Sequence, residues 1–180
     1  YLAGVGGMGI GVAGEILTRA AHKEGFHVGF IDKKGLAIRN GGVFSHITFS
    51  RNPIEGTATM PWGKADLLIG IDALEAARAC SPDQPLRVAS PGFTSAVVNI
   101  AKTETILSLM GREDFEPEEL GQLIASQCKP GAFFSFNVGD LCERLLDSKL
   151  YANIMMLGVA YQLGFIPLNY KSITWAIRHA

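Results

Sequence analysis

The first part of the chain shows two apolar segments with an amphipathic stretch between them. Residues 1–5 and 26–32 are mostly apolar. Between them, apolar side chains recur at helical spacing over residues 10–21, and Gly25 follows. Short apolar runs favour strands, and recurrence at i, i+3 and i+4 favours a helix that ends at a glycine. The pattern predicts a β-α-β unit whose two strands pair in parallel through a right-handed crossover.

The middle of the chain continues with strand patterns. Residues 43–49 alternate apolar and polar side chains, which is typical of a strand with one buried face. Residues 65–72 are an apolar run, typical of a central strand buried on both faces. The other elements predicted before residue 101 are a loop over 33–42, an irregular segment over 52–63, a helix over 73–80 and strands over 86–90 and 95–100.

The last third of the chain is mainly helical in pattern. Acidic residues around Pro117 predict the first turn of a helix that runs to about residue 128. A last strand over 132–136 and helices over 138–146, over 151–163 and from Asn169 onward are also predicted. The predicted class is therefore α/β: one three-layer domain with a mainly parallel or mixed sheet, an N-terminal β-α-β unit and a helical C-terminal third.

Composition narrows the classes of function. A chain of 180 residues fits one domain. Sixteen basic and seventeen acidic residues are scattered along it, which argues against a nucleic-acid partner. No apolar run reaches the roughly 20 residues of a membrane span. Cys80, Cys128 and Cys142 lack the spacing of a metal or cluster motif, so we expect inert thiols, no metal site and a cytoplasmic protein. Because the chain starts with Tyr1, we expect a piece of a longer polypeptide or assembly.

The clearest motif is a glycine-rich turn after the first predicted strand. Gly4, Gly6 and Gly9 match the G-x-G-x-x-G spacing, and Gly7 adds a fourth glycine. Such a turn lets backbone N–H groups at a helix start approach an anion, and Asp32 follows roughly where a dinucleotide fold places its ribose-binding acid. The alternative is that these glycines only allow a tight turn and close packing of the helix on the sheet.

A series of motifs consists of the glycine turn and residues 35–46, 62–68, 96–99, 153–158 and 164–168. In this order the motifs resemble a known family, the gamma subunits or gamma domains of the 2-oxoacid:ferredoxin oxidoreductases. Lys34-Gly35-Leu36 and residues 164–168 are most similar to the indolepyruvate branch. Met8 and Asn40 depart from the residues that the family commonly has at these places.

The resemblance implies a component of an assembly that oxidatively decarboxylates a 2-oxoacid to an acyl-CoA. Thiamine diphosphate, Mg²⁺, iron–sulfur clusters and coenzyme A would act in the assembled enzyme, with alpha and beta subunits or domains and ferredoxin as partners. Residues 1–180 would form one gamma-type domain that binds no cofactor by itself and is inactive alone. The alternatives are a stand-alone Rossmann-like nucleotide-binding oxidoreductase and a purely structural scaffold.

The candidate site joins the glycine turn to a basic loop. Lys34 and Arg39 could hold a diphosphate, a coenzyme A phosphate or a substrate carboxylate, or could form a solvated loop or a salt bridge to another subunit. We expect turn and loop to form one ledge at the carboxyl ends of adjacent strands, although a structural ledge remains the alternative. We expect His46 to be structural and Asn153 to cap a helix. The candidate cofactor-binding residues are Gly4, Gly6, Gly7, Gly9, Lys34, Arg39, Asn40 and Gly41.

Overall fold

The structure is a computed structural model that describes residues 1–34, 42–84, 87–101 and 116–180. The strands are β1 Leu2–Val5, β2 His27–Lys34, β3 Gly42–Ser50, β4 Leu67–Gly70, β5 Ser95–Asn99 and β6 Phe133–Phe136. The α-helices are α1 Ile10–Lys23, α2 Ala73–Cys80, α3 Pro117–Ser126, α4 Val138–Leu146, α5 Ala152–Gln162 and α6 Tyr170–Ile177, and a 3₁₀ turn spans Lys149–Tyr151.

The strands form one mixed six-stranded sheet in the order β2-β3-β1-β4-β5-β6. β1 pairs antiparallel with β3 on one side and parallel with β4 on the other. β4, β5 and β6 are parallel, whereas β2 and β3 form an antiparallel pair. The predicted mixed α/β sheet is therefore confirmed.

The predicted parallel pairing of the first two strands is wrong. β1 and β2 run in the same direction, but β3 lies between them. β3 pairs with the whole length of β2, from His27 opposite Ser50 to Lys34 opposite Val43. Strands that are close in sequence pair at low entropic cost, so β3 takes the position beside β2 and leaves its other edge to β1. The result is a split β-α-β unit.

Helices cover both faces of the sheet, which makes three layers. Successive residues of a strand point to opposite faces. Leu2 packs on the face covered by α1, α4, α5 and α6, whereas its neighbour Ala3 packs on the face covered by α2 and α3. Leu68 and Ile69 of β4 divide between the two faces in the same way. The C-terminal third is helical, as predicted, and its helices build most of one layer.

One predicted strand is absent from the described part of its range. Residues 87–90 form no strand, although Val88 and Ala89 are buried. The Val88 N–H donates to the Ala79 carbonyl at the end of α2, and the Val88 carbonyl accepts from the Ala65 N–H. These bonds to two different elements hold the segment as an irregular buried connection.

No helix within the described ranges combines the length and the apolar character that a membrane span needs.

Candidate functional site

The glycine turn and the residues that bound the β2–β3 connection, Lys34 and Gly42, lie at the same edge of the sheet. The turn follows the carboxyl end of β1, where Val5 lies opposite Gly42, the first residue of β3. One residue further into the sheet, Val43 lies between Gly4 and Lys34. Neighbouring strands lie about 4.8 Å apart, so the Gly4 and Lys34 backbones are about 10 Å apart across β3. The two segments share one edge, but they do not leave adjacent strands as expected.

The glycines of the turn have different roles. An ideal Cβ on Gly4 would lie 2.7 Å from Ile10 Cδ1, so Gly4 allows α1 to pack on β1. Gly7 and Gly9 have φ angles of 96° and 74°, a region that L-residues with a side chain rarely adopt. No heavy atom lies within 4 Å of a Cβ position on Gly7, which is exposed. Gly7 therefore presents open backbone at the edge, whereas Gly4 serves packing.

Gly9 is held from the far end of the sequence. The Asn153 side-chain amide donates to the Gly9 carbonyl at 3.0 Å, across a separation of 144 residues. The same carbonyl accepts from the Ala13 N–H at 3.0 Å within α1. A Cβ on Gly9 would clash with the Asn153 side chain. The expected helix-capping role is wrong: α5 begins at Ala152 without a side-chain cap, and the Asn153 side chain instead connects α5 to the glycine turn.

Two carboxylates lie near the first turn of α1 and the start of β3, and the sequence pattern pointed to only one of them. Asp32 accepts a hydrogen bond from the Ser45 hydroxyl at 2.7 Å. Glu75 projects from α2 so closely to Gly42 that a Cβ there would lie 2.5 Å from one carboxylate oxygen. Burial raises the pKa of Glu75, against the opposing effect of Arg78. The Nε atom of Arg78 lies 3.7 Å from the Glu75 carboxylate, so an ion pair within α2 offsets part of the cost of burying that charge.

Asn99 connects three segments below this edge. Its amide donates to the Ile71 carbonyl at 3.0 Å, and its carbonyl oxygen accepts from the N–H groups of Ala101 and Val138, each at 3.1 Å. The side chain is buried. Asn99 thus fixes the ends of β4 and β5 and the start of α4 relative to one another. Its position at the end of an apolar run was the available signal, because a buried polar side chain must find partners.

The predicted site residues divide into two groups. The structure places Gly4, Gly6, Gly7 and Gly9 in the turn and Lys34 at the end of β2. Arg39, Asn40 and Gly41 lie outside the described residues, so their predicted roles stay predictions. Asp32 does not occupy the position of a ribose-binding acid, since it bonds to Ser45 and its strand is not beside β1.

His46 is structural, as expected. Its Nδ1 accepts from the Met60 N–H at 2.9 Å and so connects β3 to the irregular segment that follows it. The ring packs edge-on against Tyr1 and Phe44. Burial is the main cause of a lowered pKa at His46, and the positive charge of Lys33 acts in the same direction.

The three thiols do not fit an iron–sulfur cluster. Cys80 and Cys128 lie in the core on one face of the sheet, and Cys142 lies in the core on the other face. Burial raises the pKa of Cys80 to about 12 and that of Cys128 to about 11, which opposes the thiolate form that binds metals. Within the described ranges, no three His, Cys, Asp or Glu side chains come together as metal ligands.

A cleft of about 630 Å³ lies at the opposite edge of the sheet. Leu2, Ile69 and Phe165 contribute apolar walls, and Lys64 and Lys129 contribute charge. Its lining includes none of the predicted site residues. The glycine turn and this cleft therefore lie at different edges of the sheet, whereas two other segments of the resemblance, residues 62–68 and 164–168, contribute to the lining of the cleft.

Curated relatives align with nearly the whole chain. Indolepyruvate oxidoreductase subunit IorB of Pyrococcus horikoshii is 26% identical over 178 residues, which cover 98% of this chain and 83% of the relative. IorB of Methanothermobacter thermautotrophicus is 28% identical over 181 residues, which cover 99% of this chain and 85% of the relative.

Solved structures share the fold, and a family match identifies the chain. Pyruvate oxidoreductase subunit PORC of Thermotoga maritima aligns with a TM-score of 0.60 at 20% identity, covering 99% of this chain and 82% of its own. The gamma subunit of a keto/oxoacid ferredoxin oxidoreductase from Geobacter sulfurreducens aligns with a TM-score of 0.60 at 16% identity, covering 98% of this chain and 82% of its own. The family described as pyruvate ferredoxin/flavodoxin oxidoreductase matches residues 1–180. The resemblance in the sequence is thereby confirmed, and this chain belongs to the pyruvate ferredoxin/flavodoxin oxidoreductase family.

Proposed function

We propose that this chain is the gamma-type component of a 2-oxoacid:ferredoxin oxidoreductase that converts a 2-oxoacid to an acyl-CoA. The observation that carries the proposal is the family match over residues 1–180. The curated relatives are subunits of indolepyruvate oxidoreductases, which favours indolepyruvate or another aryl 2-oxoacid as substrate. The alpha and beta components and ferredoxin are the proposed partners, and three free buried thiols suit a reducing cytoplasm.

In this proposal the partner components hold the redox groups. Thiamine diphosphate with Mg²⁺ would supply the electron sink for loss of CO₂, and iron–sulfur clusters would carry the electrons to ferredoxin. The cysteines of this chain lie on opposite faces of its sheet and cannot jointly hold a cluster. We therefore expect the isolated chain to be inactive toward 2-oxoacids.

The part proposed for this chain is to present the carboxyl edge of its sheet to an anionic group of coenzyme A or of the 2-oxoacid. Support comes from the open backbone at Gly7 and from the register that puts Gly42 beside Val5. Arg39 is the proposed cation of this edge. The packing roles of Gly4 and Gly9 favour the competing view, in which the edge is structural only.

Arg39→Ala separates these two views in the assembled enzyme. Loss of charge-assisted hydrogen bonds to a ligand weakens apparent affinity by about 1.5–3 kcal/mol, roughly a 10- to 150-fold rise in KM. Assembly should stay intact. Unchanged Michaelis constants for coenzyme A and the 2-oxoacid would rule out the ligand role of Arg39.

Apolar side chains exposed beside the site are suited to a partner. Leu145, Leu146, Leu150 and Tyr151 are 65%, 48%, 84% and 51% exposed. All four lie within residues 145–151, just before Asn153 at the glycine turn. The methionine-rich part of α5 does not provide this surface, because Met156 is fully buried. Large apolar side chains grouped at a surface mark contact sites, so we expect the partner components to cover this segment.

Co-purification with the alpha and beta components tests the assignment. The wild-type chain should form a stable complex that reduces ferredoxin with a 2-oxoacid and coenzyme A. Leu150→Glu should abolish or weaken that complex while leaving the melting temperature of the isolated chain unchanged, because the side chain is 84% exposed. If the wild-type chain forms no complex by light scattering, the gamma assignment is wrong.

A further inference from the structure

We propose that Asn153 is a positioning residue, which holds the glycine turn in the shape that the assembled oxidoreductase uses to bind its acyl acceptor or 2-oxoacid. The inference rests on the proposed function. Asn153 stands at the start of α5, 144 residues from the carbonyl that it binds. Only 6% of the residue is exposed. A buried amide with this one long-range contact acts on the turn and on α5 at the same time.

The hydrogen bonds of Asn153 leave its side chain little freedom. Its Nδ2 donates to the Gly9 carbonyl at 3.0 Å, and its Oδ1 accepts from the Ile154 N–H at 2.9 Å. The second bond fixes the amide plane, so the first bond points at Gly9 and not at solvent. Gly9 has no space for a side chain against this amide. Gly9 and Asn153 therefore form one unit, in which the glycine permits the contact and the asparagine fixes its geometry.

The geometry at Gly9 determines where α1 begins. Gly9 has a φ of 74° and ψ of 27°, and it makes no side-chain cap hydrogen bond to α1. With no capping side chain on the preceding residue, the orientation of the first helical turn depends on this left-handed glycine. Asn153 fixes the glycine carbonyl from outside the helix. It consequently sets the direction of the backbone amides at the start of α1, which face the edge where Gly42 lies.

The connection also reaches the exposed segment. Tyr151 and Leu150 immediately precede α5, and both are more than half exposed. Lys149 Nζ forms a salt bridge with the Glu143 carboxylate of α4 at 3.1 Å, and the Ser148 hydroxyl accepts from the Leu150 N–H at 3.3 Å. The segment is therefore ordered up to Asn153. A partner that contacts it lies one helical turn from the residue that holds the glycine turn.

The test compares Asn153→Asp with Asn169→Asp in the complex of this chain with its alpha and beta components. Asn153→Asp keeps the size of the side chain and its acceptor but replaces the donor with a carboxylate oxygen facing the Gly9 carbonyl. Asn169 is the matched control, since its amide also donates to another element, the Glu24 carboxylate at 2.9 Å. Asn169 is exposed and precedes α6, away from the glycine turn.

The wild-type complex is first assayed with indolepyruvate and with pyruvate, and the substrate that it turns over faster is used for the kinetics below. Steady-state kinetics give kcat and KM for the 2-oxoacid and coenzyme A, and hydrogen exchange reports protection of residues 6–10. Asn153→Asp should raise one KM by about threefold to tenfold, roughly the worth of one hydrogen bond, with kcat changed less than twofold. It should also speed exchange of the turn. Asn169→Asp should change neither the KM values nor exchange at residues 6–10.

Each result decides the proposal. Unchanged KM values for Asn153→Asp, or equal changes for both variants, would overturn it, because Asn153 would then contribute stability alone. If Asn153→Asp does not assemble, Asn153→Ser is measured by the same criteria, and failure of both to assemble assigns Asn153 a structural role and also overturns the proposal. If the wild-type complex turns over neither substrate, the proposed function itself is contradicted. The wild-type measurement therefore distinguishes that failure from failure of the inference on Asn153.

Discussion

Replacing Asn99 by alanine should destabilise the chain more than most single substitutions. The change removes one donor and one acceptor that together serve the Ile71 carbonyl and the N–H groups of Ala101 and Val138. Val138 is fully buried, so water cannot replace the acceptor that its N–H group loses. A stranded buried polar group costs about 1–3 kcal/mol. Ala101 is only partly buried and can regain water, so the expected total is about 3 kcal/mol.

Equilibrium urea unfolding and thermal melting measure this loss. For a chain of this size, 1 kcal/mol lowers Tm by about 2–4 °C, so Asn99→Ala should lower Tm by about 6–12 °C. Asn137→Ala is the matched control, because Asn137 is exposed and its side chain bonds to one residue, accepting from the Asp140 N–H and donating to the Asp140 carboxylate at the start of α4. Loss of such a cap costs about 1 kcal/mol. If the two variants lose the same stability, the interpretation of Asn99 as a three-way connection is wrong.

Three further predictions concern other parts of the fold. Gly9→Ala should lower the free energy of unfolding by at least 1 kcal/mol more than Gly25→Ala, about the cost of one buried polar group left without a partner. Both glycines have positive φ, but only Gly9 faces a neighbouring side chain. Urea titration measures the difference. Because the pKa of His46 is lowered, the unfolded state binds more protons, so stability should fall as the pH drops below about 6.5, and His46→Gln should flatten that dependence. Cys80 and Cys128 should resist alkylation at pH 8 in the folded chain and react after unfolding, as followed by mass spectrometry.

Helices with clear local signals could be predicted from the sequence. The bounds predicted for α2 and α4 match the structure, because Asp72 and Asn137 cap them with side-chain hydrogen bonds. Such caps depend on a few neighbouring residues. The strand predicted over 86–90 failed for the opposite reason: its apolar residues are buried, but its hydrogen bonds go to α2 and to Ala65, and apolar pattern does not reveal hydrogen-bond partners.

Strand order and the composition of the site depended on distant contacts. The sequence predicted that the glycine turn and the β2–β3 connection share an edge, since strand direction alone requires it. It could not place β3 between β1 and β2, because either order satisfies the same alternation of apolar residues. Glu75 and the contact of Asn153 with Gly9 also went unpredicted. A carboxylate in a short helix and an asparagine 144 residues away carry no local sign of what they meet.

The position of β1 has a consequence for synthesis on the ribosome. β1 is the earliest strand of the chain, yet its partners β3 and β4 emerge only after about 45 and 65 further residues, which takes seconds at typical translation rates. β2 and β3 can form a hairpin meanwhile, and β4, β5 and β6 can form a parallel unit later. The nascent chain must keep an apolar strand unpaired until β3 has emerged, and must keep one edge of that strand open until β4 has emerged. We therefore expect the insertion of β1 to be the step at which newly made chains are most exposed to aggregation and depend most on chaperones.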